Sequence, residues 1–195
     1  MRKNILSFIV GTILLVSLNA CGQKESIERI TASATWDTYY ENIQEITLSS
    51  DIICVVKVLN IADTYYKTDY NIPFTEFQVE VVKALKGADE GDAFRVLQTG
   101  ISTDTMIFEI EDDPLLVIGD EYLIFGEYNN LGTVTILGGP QGRYIYEDEM
   151  ISSLTSSDGY PILSLAEKVN TDSNISFQKI NANILFDEVE KCIAE

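Results

Sequence analysis

The chain contains no histidine. That removes the commonest general base, the usual metal ligand, and every Ser-His or Cys-His nucleophile pair. Zinc sites of the HExxH type are excluded with it. No G-x-S-x-G elbow exists, because "GISTD" at 100–104 fails in its last position, and no P-loop is present. Basic residues are scarce: 13 Lys and Arg face 31 Asp and Glu, a formal net charge of −18. Such a surface repels phosphate backbones, so nucleic acid is not among the expected partners. Apolar runs are short. The longest, residues 5–18, falls below the roughly 20 residues that a membrane-spanning helix needs.

What that run does have is a setting. Arg2 and Lys3 precede it, and Leu18-Asn19-Ala20-Cys21-Gly22 closes it. Charge, length and small residues together fit a secretory signal, and the closing residues resemble a bacterial lipobox. The resemblance implies cleavage before Cys21, a lipid on that cysteine, and a place on the extracytoplasmic face of the cell membrane. Residues 1–20 are then signal peptide, 21–36 a lipidated tether, and 37–195 a single domain. Loss of Arg2 and Lys3 takes the formal charge from −18 to −20, so anionic headgroups repel the domain and attachment rests on the lipid alone. The two other cysteines, Cys54 and Cys192, allow one disulfide in that compartment. Two unpaired buried thiols are the favoured alternative, since spacing does not fix geometry and a buried free cysteine packs as a small hydrophobe.

The polar stretch 22–36 reads as tether, partly helical through "KESIERI". Asp37 is a candidate cap for a short helix through "DTYYENIQEITLSS". Period two then takes over. "DIICVVKVLN" (51–60) is apolar on both faces, as a strand covered on both sides would be. "FTEFQVEVVKALKG" (74–87) alternates like a half-buried antiparallel strand. Strands are expected at 93–99, 105–111, 121–128, in "TVTILGG", and at 142–147. About six or seven short strands at this spacing predict a mainly β fold, a small antiparallel barrel over about 49–147 with Val56, Val79, Phe108 and Ile124 inside. Residues 152–175 read as loop. The last segment reads as an amphipathic helix capped by Ser176, its stripe of Ile180, Ile184, Leu185, Val189 and Ile193 covering Ile53 and Val55.

Four segments in fixed order, "SSDIICVVKV", "VVKALKG", "VIGDEYLIFGEYN" and "LGGPQGRY", resemble a group of bacterial exported proteins. They also resemble the OB-like barrel of the tissue inhibitors of metalloproteinases and the netrin module. The matching residues are Leu85, Lys86, Gly87, Gly119, Tyr122, Leu123, Phe125, Gly138, Gly139, Gln141 and Gly142, across about half the chain. The resemblance implies the OB-like barrel. The inhibitors act through a free amino-terminal cysteine on the protease zinc, whereas the matching terminus here would be the lipidated Cys21, and their disulfides are missing. Fold alone carries over.

Chemistry-bearing matches are few. Ser176-Phe177-Gln178-Lys179 fits S-x-x-K but lacks its S-D-N and K-T-G companions. Acidic clusters at 89–92, 111–113 and 147–149 miss EF-hand spacing and read as solvated turns. Glu109 and Glu111 share a strand face, the arrangement a carboxylate-based hydrolase would need. No catalytic residue, metal site or cofactor is assigned. The expectation is a membrane-anchored, non-enzymatic binding module for an envelope protein or polymer. Tyr65, Tyr66 and Tyr70, in the loop expected after the first strand, are its candidate contacts. The alternatives are an inhibitor-like domain acting on an extracellular protease, or the carboxylate-based hydrolase.

Overall fold

Strand β2 (Ile52–Lys67) carries the architecture, and its first half explains why. In the computed structural model, which describes residues 27–67, 71–154 and 179–194, residues 52–56 are all buried. Ile52, Cys54, Val56 and Val58 face one core, and Ile53 and Val55 face a second. Side chains alternate across a strand, so β2 is a shared wall with a core on each side. Cys21, Tyr70 and Ser176 lie outside the described residues.

The first core fills a ring of five strands. β2 pairs with β3 (Ile72–Lys86), β3 with β4 (Ala93–Thr99), β4 with β8 (Val134–Ile136), β8 with β7 (Glu121–Tyr128), and β7 with β2. The hydrogen-bonded circuit returns on itself, and the fold is mainly β and OB-like. One pairing corrects the expectation of a purely antiparallel barrel. β4 and β8 run parallel, through Val96↔Val134 and Leu97↔Thr135. The reason is the crossing between β4 and β7, which brings the chain back to β8 in the direction of β4. Val56, Val79 and Ile124 lie fully buried inside, as expected.

Phe108 does not. Its strand, β6 (Met106–Ile110), belongs to a separate sheet of order β1-β6-β5, with β1 (Glu28–Ala32) and β5 (Ile101–Ser102) on its two edges. Both hydrogen-bonding edges of β6 are thereby occupied, which leaves Phe108 half-buried outside the barrel. Strand β1 also corrects the tether. Residues 28–32 pair in parallel with β6 rather than coiling as a helix or running free. Trp36 then lies over Gly139, where an added Cβ would come within 2.4 Å of its ring. Six residues, 22–27, separate Cys21 from β1 in the sequence.

The second core is covered by two helices. α1 (Ile43–Ser49) starts five residues later than expected, capped by Asn42 rather than Asp37. Asn42 Oδ1 accepts from the Glu45 N–H at 2.9 Å, and Glu45 Oε2 accepts from the Glu41 N–H at 2.9 Å, a variant of the capping box. The sheet extends from β7 through β9 (Arg143–Glu147) and β10 (Met150–Ser153) to β11 (Lys179–Asn181). β10 and β11 were not expected. The terminal helix α2 (Ala182–Ala194) follows at once. Asn181 caps it, its Oδ1 accepting from the Asn183 N–H at 3.0 Å, so Ser176 does not. Leu185 and Val189 pack on Ile53 and Val55 as expected, but Phe186 replaces Ile193, which is 41% exposed. Cys54 lies inside the barrel and Cys192 on the buried side of α2, and no disulfide joins them. Burial pushes the Cys54 thiol up to about 12, so it is protonated and inert. Among the described residues, no helix is long and apolar enough to cross a membrane.

Candidate functional site

Between β6 and β7 the segment 111–120 sends Leu116 into the barrel core, and buried polar groups pin it there. Gln98 on β4 donates through Nε2 to Pro114 O at 2.9 Å and to Asp113 O at 3.3 Å. Its Oε1 accepts from the Leu116 N–H at 3.0 Å. Arg143, opposite Ile124 on β9, points into the barrel with no exposure at all. Its Nη2 donates to Asp113 Oδ1 at 2.7 Å and to Pro114 O at 2.5 Å, and its guanidinium lies 5.6 Å from the Tyr122 ring centre. Nε and Nη1 of Arg143 find no partner among the described residues.

Burial dominates the electrostatics of this pair. It lifts the Asp113 carboxyl above its ordinary value, with Arg143 and Gln98 pulling the other way. It lowers the Arg143 guanidinium, with Asp113 and Tyr122 opposing, and it raises the Tyr122 phenol. Sequence reasoning missed this network. By sequence Asp113 belongs to a solvated acidic turn and Arg143 to a strand; an arginine among the aromatic and aliphatic residues of that strand is the available signal.

Leu116, held by this network, is buried in the barrel core, with Leu115 packed against it. The next two residues emerge: Val117 and Ile118 are 53% and 54% exposed. They floor a groove of about 350 Å³ with Ile61 and Phe77 on the barrel side and Ile107 on the small-sheet side. Arg29 and Glu109, joined in an ion pair, supply its charged end. An apolar groove with exposed aliphatic residues and a few polar groups is the usual form of a binding surface.

The expected contact residues do not line this groove; two of them lie farther along the strand that contributes Ile61 to it. The loop expected after residue 60 is strand: β2 and β3 continue as a two-stranded arm as far as the pair Lys67↔Ile72. Tyr65 is half-buried and stacks on Phe74, with ring centres 6.0 Å apart. Tyr66 is exposed. Tyr70 lies outside the described residues.

The acidic clusters are structural where described. Asp92 Oδ2 accepts from the Asp89 N–H at 2.9 Å within its turn. Asp148 and Glu149, with φ of 51° and 60°, form the two-residue turn between β9 and β10. A second cleft, about 350 Å³, runs between that turn and Asp120 and Glu121. Among the described residues no three carboxylates or thiols converge to hold a metal. Glu109 is engaged by Arg29, and Glu111 accepts from Ser33 Oγ at 3.4 Å. Lys179 is exposed on β11, and Ser176 of the same S-x-x-K match lies outside the described residues.

The glycine-rich segment near 140 has a structural task. Gln141 holds the backbone before α1, its Nε2 donating to Tyr40 O at 3.0 Å and its Oε1 accepting from the Tyr40 N–H at 3.1 Å. Gly142 passes so close to the barrel wall that an added Cβ would meet Leu137 O at 2.3 Å. No protein-family model matches the chain, and no curated protein is significantly similar to it.

Proposed function

We propose that the protein is a surface lipoprotein, anchored by a lipid on Cys21 at the extracytoplasmic face of the cell membrane. Its OB-like domain, resembling the netrin and metalloproteinase-inhibitor module, acts as a non-enzymatic binding module for a neighbouring envelope component. The groove lined by Val117 and Ile118 carries this reading: two aliphatic side chains stand in solvent, on a segment that the buried Arg143–Asp113 pair ties to the barrel a few residues earlier. Preformed apolar surface favours binding because little order is lost when a partner arrives. The absence of histidine and of any intact catalytic motif in the sequence argues against enzymatic turnover. The carboxylate-hydrolase alternative loses support because Glu109 is engaged in an ion pair with Arg29 and Glu111 accepts from Ser33 Oγ.

Labelling cells with a palmitate analogue tests the anchor: the wild type should take the label and Cys21→Ser should not. Crosslinking on intact cells tests the groove. Val117→Ser with Ile118→Ser should reduce capture of the wild-type partner at least severalfold. Unchanged capture at unchanged expression would place the contact elsewhere, and turnover of a small substrate that Glu109→Gln abolishes would replace binding with catalysis.

A further inference from the structure

Beyond the point where β7 ends its pairing, β2 has one bonded edge and, among the described residues, one open edge. The β2–β7 ladder stops at Lys57↔Glu121, and Val58 closes the contact through bonds to Asp120 O and from the Gly119 N–H. From residue 59 to Lys67, β2 pairs only with β3 among the described residues. Between 63 and 67 the register against β3 is unbroken, whereas it shifts between Val58 and Asn60 and between Ile61 and Asp63.

The open edge presents identifiable donors. Tyr66 stands opposite Pro73, which has no N–H and whose carbonyl accepts from Gly100 on the β4 side. That pair therefore exchanges no bonds, and the Tyr66 N–H points outward. Two residues earlier the Thr64 N–H points the same way and is taken by Asp63 Oδ1 at 2.8 Å. A carboxylate on an edge N–H is a guard against indiscriminate strand pairing. It also selects: a cationic side chain that draws Asp63 away frees the Thr64 donor for a new ladder.

The groove continues this edge, since Ile61 lines it. Charge points the same way. The segments that build edge and groove, 28–32, 59–67 and 101–120, hold seven acidic residues besides the buried Asp113, against two basic ones. On the binding role proposed above, we infer that the occupant is an extended, lysine- or arginine-bearing peptide segment of a partner protein. It adds as a strand to the open edge of β2 over 63–67 and seats apolar side chains in the groove beside Ile61, Val117 and Ile118. Main-chain bonds supply affinity in this mode, and the alternate side chains supply specificity.

A fluorescent nine-residue peptide alternating lysine and valine, titrated into the full chain in a neutral detergent, tests this. Binding should protect the Thr64 and Tyr66 amides from exchange. Tyr66→Pro removes one outward donor without touching a β2–β3 bond, and it should weaken binding at least tenfold while thermal stability stays unchanged. A peptide with glutamate in place of lysine should bind at least tenfold more weakly. Equal binding by Tyr66→Pro of unchanged stability, or equal binding of the glutamate peptide, overturns the strand-addition mode. So does protection of the 63–67 amides by a second copy of the chain, seen as a dimer that the peptide does not displace. If the peptide fails while crosslinking still depends on Val117 and Ile118, the occupant is of another class and the binding role survives. If both fail, the binding role falls too.

Discussion

At residue scale the decisive group is Arg143, one of the largest fully buried side chains among the described residues. Removing one member of a buried pair leaves the other charge without compensation, at a cost of about 3–5 kcal/mol. Asp113→Ala should therefore be strongly destabilising in denaturant unfolding. The double variant Asp113→Leu with Arg143→Met should recover most of that loss, because apolar replacements of similar size carry no desolvation penalty. The carboxyl of Asp113 is held above the ordinary value of 3.8, chiefly by burial. The native state then keeps this proton longer than the unfolded chain does. Its contribution to stability is complete below that ordinary value and declines as pH rises through the native one. Asp113→Asn should flatten this part of the pH–stability curve. An unaltered curve would assign the titration to another group. The sequence did not disclose the pair, because 30 positions separate its members and each sits among residues typical of a surface turn or an edge.

At the scale of elements, legibility followed the strength of the local pattern. β2 and β3 alternate or run apolar over long stretches, so burial wrote them into the sequence. β1 and β11, "ERITA" and "KIN", have no such pattern; each is a strand because a neighbouring edge supplies its hydrogen bonds. For the same reason the arm past residue 60, polar and tyrosine-rich, reads as loop yet pairs to Lys67. The terminal helix was legible in kind but not in phase: its stripe is turned toward Phe186 and Cys192, both buried, and away from Ile193. Leu185→Ala should cost about 2–5 kcal/mol, whereas Ile193→Ala should leave thermal stability nearly unchanged. Asn181→Ala should cost about 1 kcal/mol as a lost cap, and Ser176→Ala nothing measurable. A larger loss at Ser176 than at Asn181 would contradict the observed start of α2.

At the scale of the whole molecule, charge and connectivity matter most. With residues 1–20 removed the formal charge is −20, so a cationic partner is steered toward the domain, and its association should slow as salt rises. An association rate independent of ionic strength would leave the acidic surface with solubility as its only role. Connectivity concerns β1. On the proposed anchoring, the six residues 22–27 are all that separate the lipid from a five-residue strand whose ladder to β6 is its hold on the domain. Any pull between the membrane and a captured partner must pass through that ladder before it reaches the barrel. On that arrangement β1 couples tension to binding: a load that parted it from β6 would also carry Arg29 out of the groove it lines, so pulling on the anchor would loosen the grip on the partner before it strained the barrel.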